Sequence, residues 1–274
     1  MNSLMKIRNA AVFEKKTYEL RKGILELAKM TGGAGAHLGG TLSCVEILTY
    51  LYLVHEINIS KKKWHLRDRV LVKGHAHLAL YQLWAEIGLI KKKELLSYGK
   101  DGSRIHILPD YKVPGSEYNS GSLGQVVGIG LGIAINSRID KKKYNVYCLV
   151  GDGECDSGSM WESVSMAGKL KMKNLIVIVD LNRLSEFQVF NDNVHKEIEK
   201  KFKSFDWNTK IINGHSFSNL KSAFNQIKKS KKPLAIIANT IKGKGVSFME
   251  NNVNWHHKAP SKKEFNIALK EYEK

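Results

Sequence analysis

The chain has 274 residues, 43% of them hydrophobic, and its 44 Lys and Arg outnumber its 26 Asp and Glu for a formal net charge of +18. This apolar content suffices for one large domain or two small ones with substantial cores, which excludes a disordered chain. Apolar runs such as VVGIGLGIAI are too short to cross a bilayer, the opening MNSLMKIRNAAVFEKK is not a basic-then-apolar leader, and Cys44, Cys148 and Cys155 have neither disulfide-framework nor CxxC spacing.

In chain order, Leu20, Ile24, Leu27 and Ala28 recur at helical spacing and predict an amphipathic first helix that stops before the glycine-rich TGGAGAHLGG (31–40). A second helix is expected from about Leu42. RVLVKG (69–74) reads as a short strand ended by Gly74, and HAHLALYQLWAEIG (75–88) as a helix closed by Gly88. Residues 99–121, with Pro109, Pro114 and several glycines, form a long loop, and such loops inside compact domains are usually functional. Small and branched residues over 122–137 predict a buried helix. YNVYCLV (144–150), NLIVIVD (174–180) and PLAIIANT (233–240) are near-continuous apolar runs, with a helix ending at GKL (168–170) between the first two. Strands of this kind, alternating with helices, belong to parallel sheets covered on both faces. The predicted class is α/β, a doubly wound parallel sheet flanked by helices.

The positive excess lies largely in scattered lysines, including KKK at 61–63, 91–93 and 141–143. Without interleaved aromatics this pattern predicts a solvated lysine-rich exterior, suited to an acidic protein partner, and not a nucleic-acid surface. A soluble cytoplasmic protein with buried free thiols, no membrane contact and no nucleic acid is expected.

In doubly wound sheets, ligands bind beyond the carboxyl ends of the strands. Asp152, inside the glycine pair of GDG (151–153), and Asn182 lie just past two such ends. With the Leu184 backbone carbonyl they make an all-oxygen set for a hard cation, Mg2+ or by the same chemistry Ca2+ or Mn2+, completed by water and phosphate oxygens. Gly151 and Gly153 allow close approach of a diphosphate and are expected to aim free amides at it, aided by the positive end of a helix beginning near Ser157. The alternative for GDG is a plain strand-to-helix turn. Glu154 is expected to be solvent-facing or structural.

GDG followed by Asn at the next strand end resembles the thiamin diphosphate motif, and its surroundings resemble the diphosphate-binding domain of transketolases. GAHLGG (35–40), LVKGHAHLALY (71–81), PGSEYNSGSLGQ (114–125) and IKGKGVSFMENNVNWHHKAP (241–260) are similar, in order, to that family's two histidine loops, its Gly-Leu-Gly-Gln loop and its carboxyl-side substrate loop. The resemblance implies one thiamin-diphosphate-binding (PP-type) domain over 1–274. It implies thiamin diphosphate and Mg2+ as cofactors, with the metal on Asp152, Asn182 and Leu184. His75, Gly121, Leu123, Gly151, Gly153 and Asn182 would contact the cofactor. His37, His77 and His256 would be catalytic imidazoles facing sugar hydroxyls and carbonyl, His77 having the alternative of simply beginning a helix. The implied reaction passes a two-carbon ketol unit from a ketose, phosphorylated or nucleotide-linked, to an aldose, the cofactor acting as electron sink.

The family's glutamate-bearing pyrimidine domain has no counterpart in this sequence. That implies either a split enzyme, with two copies of this chain and two of a separate pyrimidine-domain subunit, or a truncated relic; the retained Asp152 and Asn182 favour the split enzyme. Three departures bear on the substrate. Leu108, in GSRIHILPD (102–110), stands where the family has a histidine, with His106 two residues earlier as a substitute to be tested. Ser157 replaces a glutamate of the link between active sites, although Glu162 is retained, and His257 replaces a glycine beside His256. These changes imply either an ordinary pentose-phosphate transketolase or a specialised relative making an unusual sugar. A decarboxylating synthase is a further alternative, against which GSLGQ and KGKGVSFME speak, and so is a non-catalytic binding protein on the same fold.

Overall fold

The computed structural model describes residues 7–30, 36–55, 57, 64–185 and 189–272. Residues 31–35 of the first glycine-rich segment and the lysine triplet at 61–63 lie outside the described residues. In chain order the elements are α1 (Ala10–Met30), α2 (Leu38–Ser43), α3 (Val45–Leu53), β1 (Arg69–Val72), α4 (His77–Glu86), α5 (Val126–Ile139), β2 (Val146–Gly151), α6 (Gly158–Lys169), β3 (Leu175–Leu181), α7 (Val194–Ser204), β4 (Asn208–Asn213), α8 (Phe217–Ile227), β5 (Leu234–Asn239) and α9 (Lys262–Glu271).

The strands form one parallel sheet in the order β1-β2-β3-β5-β4. Alternation along each strand divides the core in two. Tyr147, Leu149, Ile176, Ile178, Ile236 and Ala238 face a cluster that includes Ile24 of α1, Leu48 of α3, Tyr81 of α4 and Phe224 of α8. Cys148, Val150, Val177, Val179, Ala235 and Ile237 face the other cluster, with Val127 of α5, Val164 of α6 and Phe202 of α7. Both faces of β2 and β3 are therefore covered, which is why their sequences are apolar without a break. The doubly wound α/β reading is confirmed. The three cysteines are free and buried, and among the described residues no helix is long and apolar enough to cross a membrane.

The sequence reading missed β4. NTKIIN buries only Ile212 because the strand forms an edge of the sheet, so it carries no apolar run to recognise. The second helix begins at Leu38, earlier than expected, and is interrupted at Cys44. These shifts matter little for the site, since the ends of β1, β2, β3 and β5 lie along one edge, with Gly151 paired to Asp180 and Leu181 to Asn239.

Packing of α6 against the chain entering β4 depends on Gly168, where a Cβ would collide with the backbone carbonyl of Phe205. Because that obstacle is main chain and cannot rotate away, Gly168→Ala is expected to destabilise the fold by about 1–3 kcal/mol. An unchanged midpoint in urea unfolding would show that this junction is looser than described.

Candidate active site

Beneath the carboxyl edge of the sheet lies a buried ion pair. Lys73, the first residue past β1, reaches Asp180 of β3 with Nζ 2.5 Å from Oδ2, and neither side chain has solvent exposure. To do so it crosses β2 at Gly151, whose Cβ position would lie 3.6 Å from Lys73 Cδ. Ser43 Oγ donates to the same Asp180 oxygen at 2.5 Å, and Thr240 Oγ1 donates to the other. Burial pulls the Lys73 pKa down, but Asp180 more than reverses this and the net shift is upward. The ammonium therefore stays charged under the cavity floor. Sequence reasoning missed both residues; the available signal was a charge at the end of each of two apolar strands, which needs a partner when buried.

Above this pair is a cavity of about 390 Å³ that brings together Asp152, Asn182, Leu184, His75 and His256. Asp152 is 4% exposed. Its Oδ1 accepts the Gly153 N–H at 2.9 Å and its Oδ2 the Arg183 N–H at 2.7 Å, tying the exit of β2 to that of β3. Burial raises its pKa, against the opposing effect of Lys73 and the two amides, so a cation placed there would favour its ionised form. Asn182 Oδ1 accepts the Leu184 N–H at 3.2 Å, and the Leu184 carbonyl accepts from Lys242 Nζ at 2.6 Å. Lys242 is itself buried and is a second cation that the sequence reading passed over.

One expectation for the GDG turn needs correction, and one is narrowed to the second of its alternatives. The Gly151 and Gly153 amides are not free to meet a phosphate: the first donates to Glu154 Oε2 at 2.9 Å and the second to Asp152. Glu154 is buried and structural, not solvent-facing, since its Oε1 also accepts the Gly124 N–H at 3.2 Å and so ties the GSLGQ loop to the turn. A short 3-10 turn over Gly153–Asp156 intervenes before α6 begins at Gly158. Ser157 gives no side-chain cap and packs against Gly124, whose φ is +77° and whose Cβ position would lie 2.5 Å from Ser157 Cβ.

The imidazoles gather around His37. Its ring centroid lies 6.1 Å from that of His75, 6.0 Å from His256 and 4.5 Å from His257, and a backbone bridge to Lys258 joins the two loops. The His75 ring is seated against Gly40 and Gly151; burial, followed by Lys73, holds its pKa well below the usual histidine range. Burial and then Lys242 push His256 down to about 4. His256 Nδ1 lies 2.6 Å from Lys242 Nζ and must accept from the ammonium, which leaves the proton of the neutral ring on Nε2.

His77 does not serve as a substrate-facing imidazole, and that expectation is corrected. It begins α4 without solvent exposure; Nδ1 is 3.0 Å from the Gly74 carbonyl and Nε2 is 2.7 Å from the Tyr98 hydroxyl. Both nitrogens are thus committed to holding the turn that carries His75. On the rim, Leu123 lines the cavity and is 57% exposed. Gly121, with φ +141°, lies next to it beneath the side chain of Leu108, which also covers Gly74. His106 is exposed and its backbone carbonyl accepts from Tyr81 Oη at 2.8 Å.

Among the described residues there is no grouping of three or more His, Cys, Asp or Glu arranged to hold a metal. One carboxylate with two neutral oxygens fits a hard cation that takes its remaining ligands from an anionic compound and water.

Known proteins show the same organisation. The family model for the transketolase thiamine diphosphate binding domain matches residues 21–272. A protein of Phocaeicola vulgatus named as one of the subunits of apulose-4-phosphate transketolase is 35% identical over 263 residues, covering 94% of this chain and 92% of that protein. Human transketolase is 36% identical over 243 residues, which are 87% of this chain but 38% of that enzyme. The crystal structure of Campylobacter jejuni transketolase superposes with a TM-score of 0.86 at 26% identity, covering 97% of this chain and 43% of that one. The chain thus spans nearly all of the first relative and less than half of the other two.

Replacing Lys73 by Met leaves Asp180 buried without its cation, and a loss of about 3–5 kcal/mol is expected. Adding Asp180→Asn removes the orphaned charge and should recover part of that loss. Urea unfolding of the two variants checks this; equal stability of the single variant and the parent would show the pair to be dispensable.

Proposed function

The chain belongs to the transketolase family, as its N-terminal thiamine diphosphate binding domain, and from this we propose that it is the diphosphate-binding subunit of a split transketolase-like transferase. The reaction is transfer of a two-carbon ketol unit from a ketose, most simply a ketose phosphate, to an aldose. The observation that carries this reading is the meeting of the Asp152, Asn182 and Leu184 oxygens with His75 and His256 in one cavity at the carboxyl edge of the sheet. The likeness to a relative that is itself named as one subunit of a transketolase, over nearly the full length of both chains, supports a division of the enzyme between two polypeptides.

Asp152, Asn182 and the Leu184 carbonyl would hold Mg2+ against a diphosphate. Thiamin diphosphate, when bound, supplies the electron sink for the carbanion left by carbon–carbon cleavage. His75, neutral because it is buried, is the donor to a diphosphate oxygen, and Lys242 offsets diphosphate charge. His256, its Nδ1 occupied by Lys242, presents Nε2–H to a substrate carbonyl or hydroxyl oxygen. His37, among the other rings, would face a substrate hydroxyl. Gly121 and Leu123 border the cofactor, and Leu108, an apolar group over Gly74 and Gly121, narrows the choice of donor sugar.

The pyrimidine-domain partner supplies the activating glutamate, in a 2+2 assembly. The partner would dock on the side where Leu123, at the cavity rim, is exposed; Ile129 of α5 and Met166 of α6 are exposed as well, and the Gly132 Cβ position on α5 meets no atom within 4 Å. Exposed apolar area of this kind marks an interaction site. With Ser157 packed against Gly124 and Glu162 exposed on α6, the acidic link between active sites is altered. Free thiols suit a reducing cytoplasm.

Asp152→Ala is expected to weaken Mg2+-dependent binding of thiamin diphosphate to the two-subunit complex at least ~100-fold, equivalent to about 2.7 kcal/mol. Unchanged affinity by calorimetry would overturn the metal assignment. Ketol transfer should be absent from this chain alone and appear on adding the pyrimidine-domain subunit. Full turnover by the isolated chain would refute the split.

A further inference from the structure

We infer that Glu46 and His215, neither of which lines the cavity, are positioning residues that set where Lys242 stands. This rests on the cavity being the cofactor site.

Segment 241–245, IKGKG, carries Lys242 on a backbone pinned on either side. The Ile241 N–H donates to His215 Nε2 at 2.9 Å, and the Lys244 carbonyl accepts from Arg21 Nε at 2.9 Å. Between them the Gly243 N–H donates to the Gly39 carbonyl at 3.0 Å. Arg21 and His215 then converge on a single oxygen: Glu46 Oε2 lies 2.7 Å from Arg21 NH2 and 3.0 Å from His215 Nδ1. Gly243 and Gly245 have φ of +74° and +92°, and a Cβ on the first would collide with the Met249 carbonyl while one on the second would lie 2.7 Å from Arg21 Cδ. The path of the segment is therefore dictated from outside the cavity. Its product is an ammonium 2.6 Å from both the Leu184 carbonyl and His256 Nδ1.

The chemistry admits one arrangement of protons. A backbone N–H can only donate, so His215 Nε2 accepts; the ring proton is then on Nδ1 and is donated to Glu46. Glu46 receives two donors on one oxygen and is held ionised, at about 2, because Arg21 and His215 overcome the opposing effect of burial. A glutamine at position 46 would bring an amide N–H into this donor-rich corner. An alanine at 215 would leave the Ile241 N–H without its acceptor. Either change loosens the backbone next to Lys242 and, through Lys242, reorients His256, where small displacements matter most.

The test measures binding of Mg2+ thiamin diphosphate to the two-subunit complex carrying Glu46→Gln or His215→Ala. The dissociation constant is expected to rise at least ~10-fold, about 1.4 kcal/mol. His215→Gln, whose side-chain oxygen can accept the Ile241 N–H, should recover affinity. Gly168→Ala, which weakens the fold far from this segment, should not change it. Parent-like affinity in Glu46→Gln and His215→Ala, or an equal loss in Gly168→Ala, overturns the proposal. If the parent complex itself bound no thiamin diphosphate, the assignment of the cavity would be at fault. The positioning network has its own readout without cofactor: imidazole 15N spectra of the parent should show His215 as the Nδ1–H tautomer, and an Nε2–H signature would refute the network directly.

Discussion

The buried contact between Lys73 and Asp180 is the constraint on which the site is built. It joins β1 to β3 across the glycine at the end of β2, and Asp180 also gathers Ser43 from α2 and Thr240 from the end of β5. Four segments distant in sequence thus share one carboxylate at the sheet edge. Desolvating two charges is costly, and the geometry offsets that cost with a short ion pair and two hydroxyl donors to Asp180. Burying polar groups this way stabilises one arrangement of the loops above them more than it stabilises the fold in general.

The cavity repeats the same logic at smaller scale. Asp152 ties two strand exits through backbone amides, Glu154 ties the GSLGQ loop to the GDG turn, and His77 ties the turn bearing His75 to Tyr98. Several groups that look reactive are in fact braces. Around the cavity these braces hold His75, His256, Lys242 and the oxygens of Asp152, Asn182 and Leu184. Burial keeps His75 and His256 uncharged near neutral pH.

How far this was legible in the sequence differs by residue. The near-continuous apolar runs of β2, β3 and β5 identify a parallel sheet, and Asp152 and Asn182 stand out because each is a hydrophilic residue just past such a run. Edge strand β4 was hidden because it buries only Ile212 and so carries no apolar run. Lys242 was hidden because, among 44 Lys and Arg, nothing local distinguishes it from a solvated lysine, whereas Lys73 left one cue, its place at the end of an apolar strand. Glu154 shows the same limit: its partner at Gly124 arrives from a loop thirty residues earlier in the chain.

The sequence by itself determined the class of fold and pointed to the sheet edge at which Asp152 and Asn182 stand, since these follow from periodicity and from residue types at strand ends. Only the tertiary structure decided which groups serve as braces and how burial and neighbouring charges shift groups such as His75, Asp152 and Glu46. Those properties come from burial and from contacts between distant segments, such as Asp152 with the amide of Arg183, Lys242 with His256, and His215 with Glu46. No local pattern encodes them, because a side chain's pKa and hydrogen-bond role depend on what the rest of the chain places beside it.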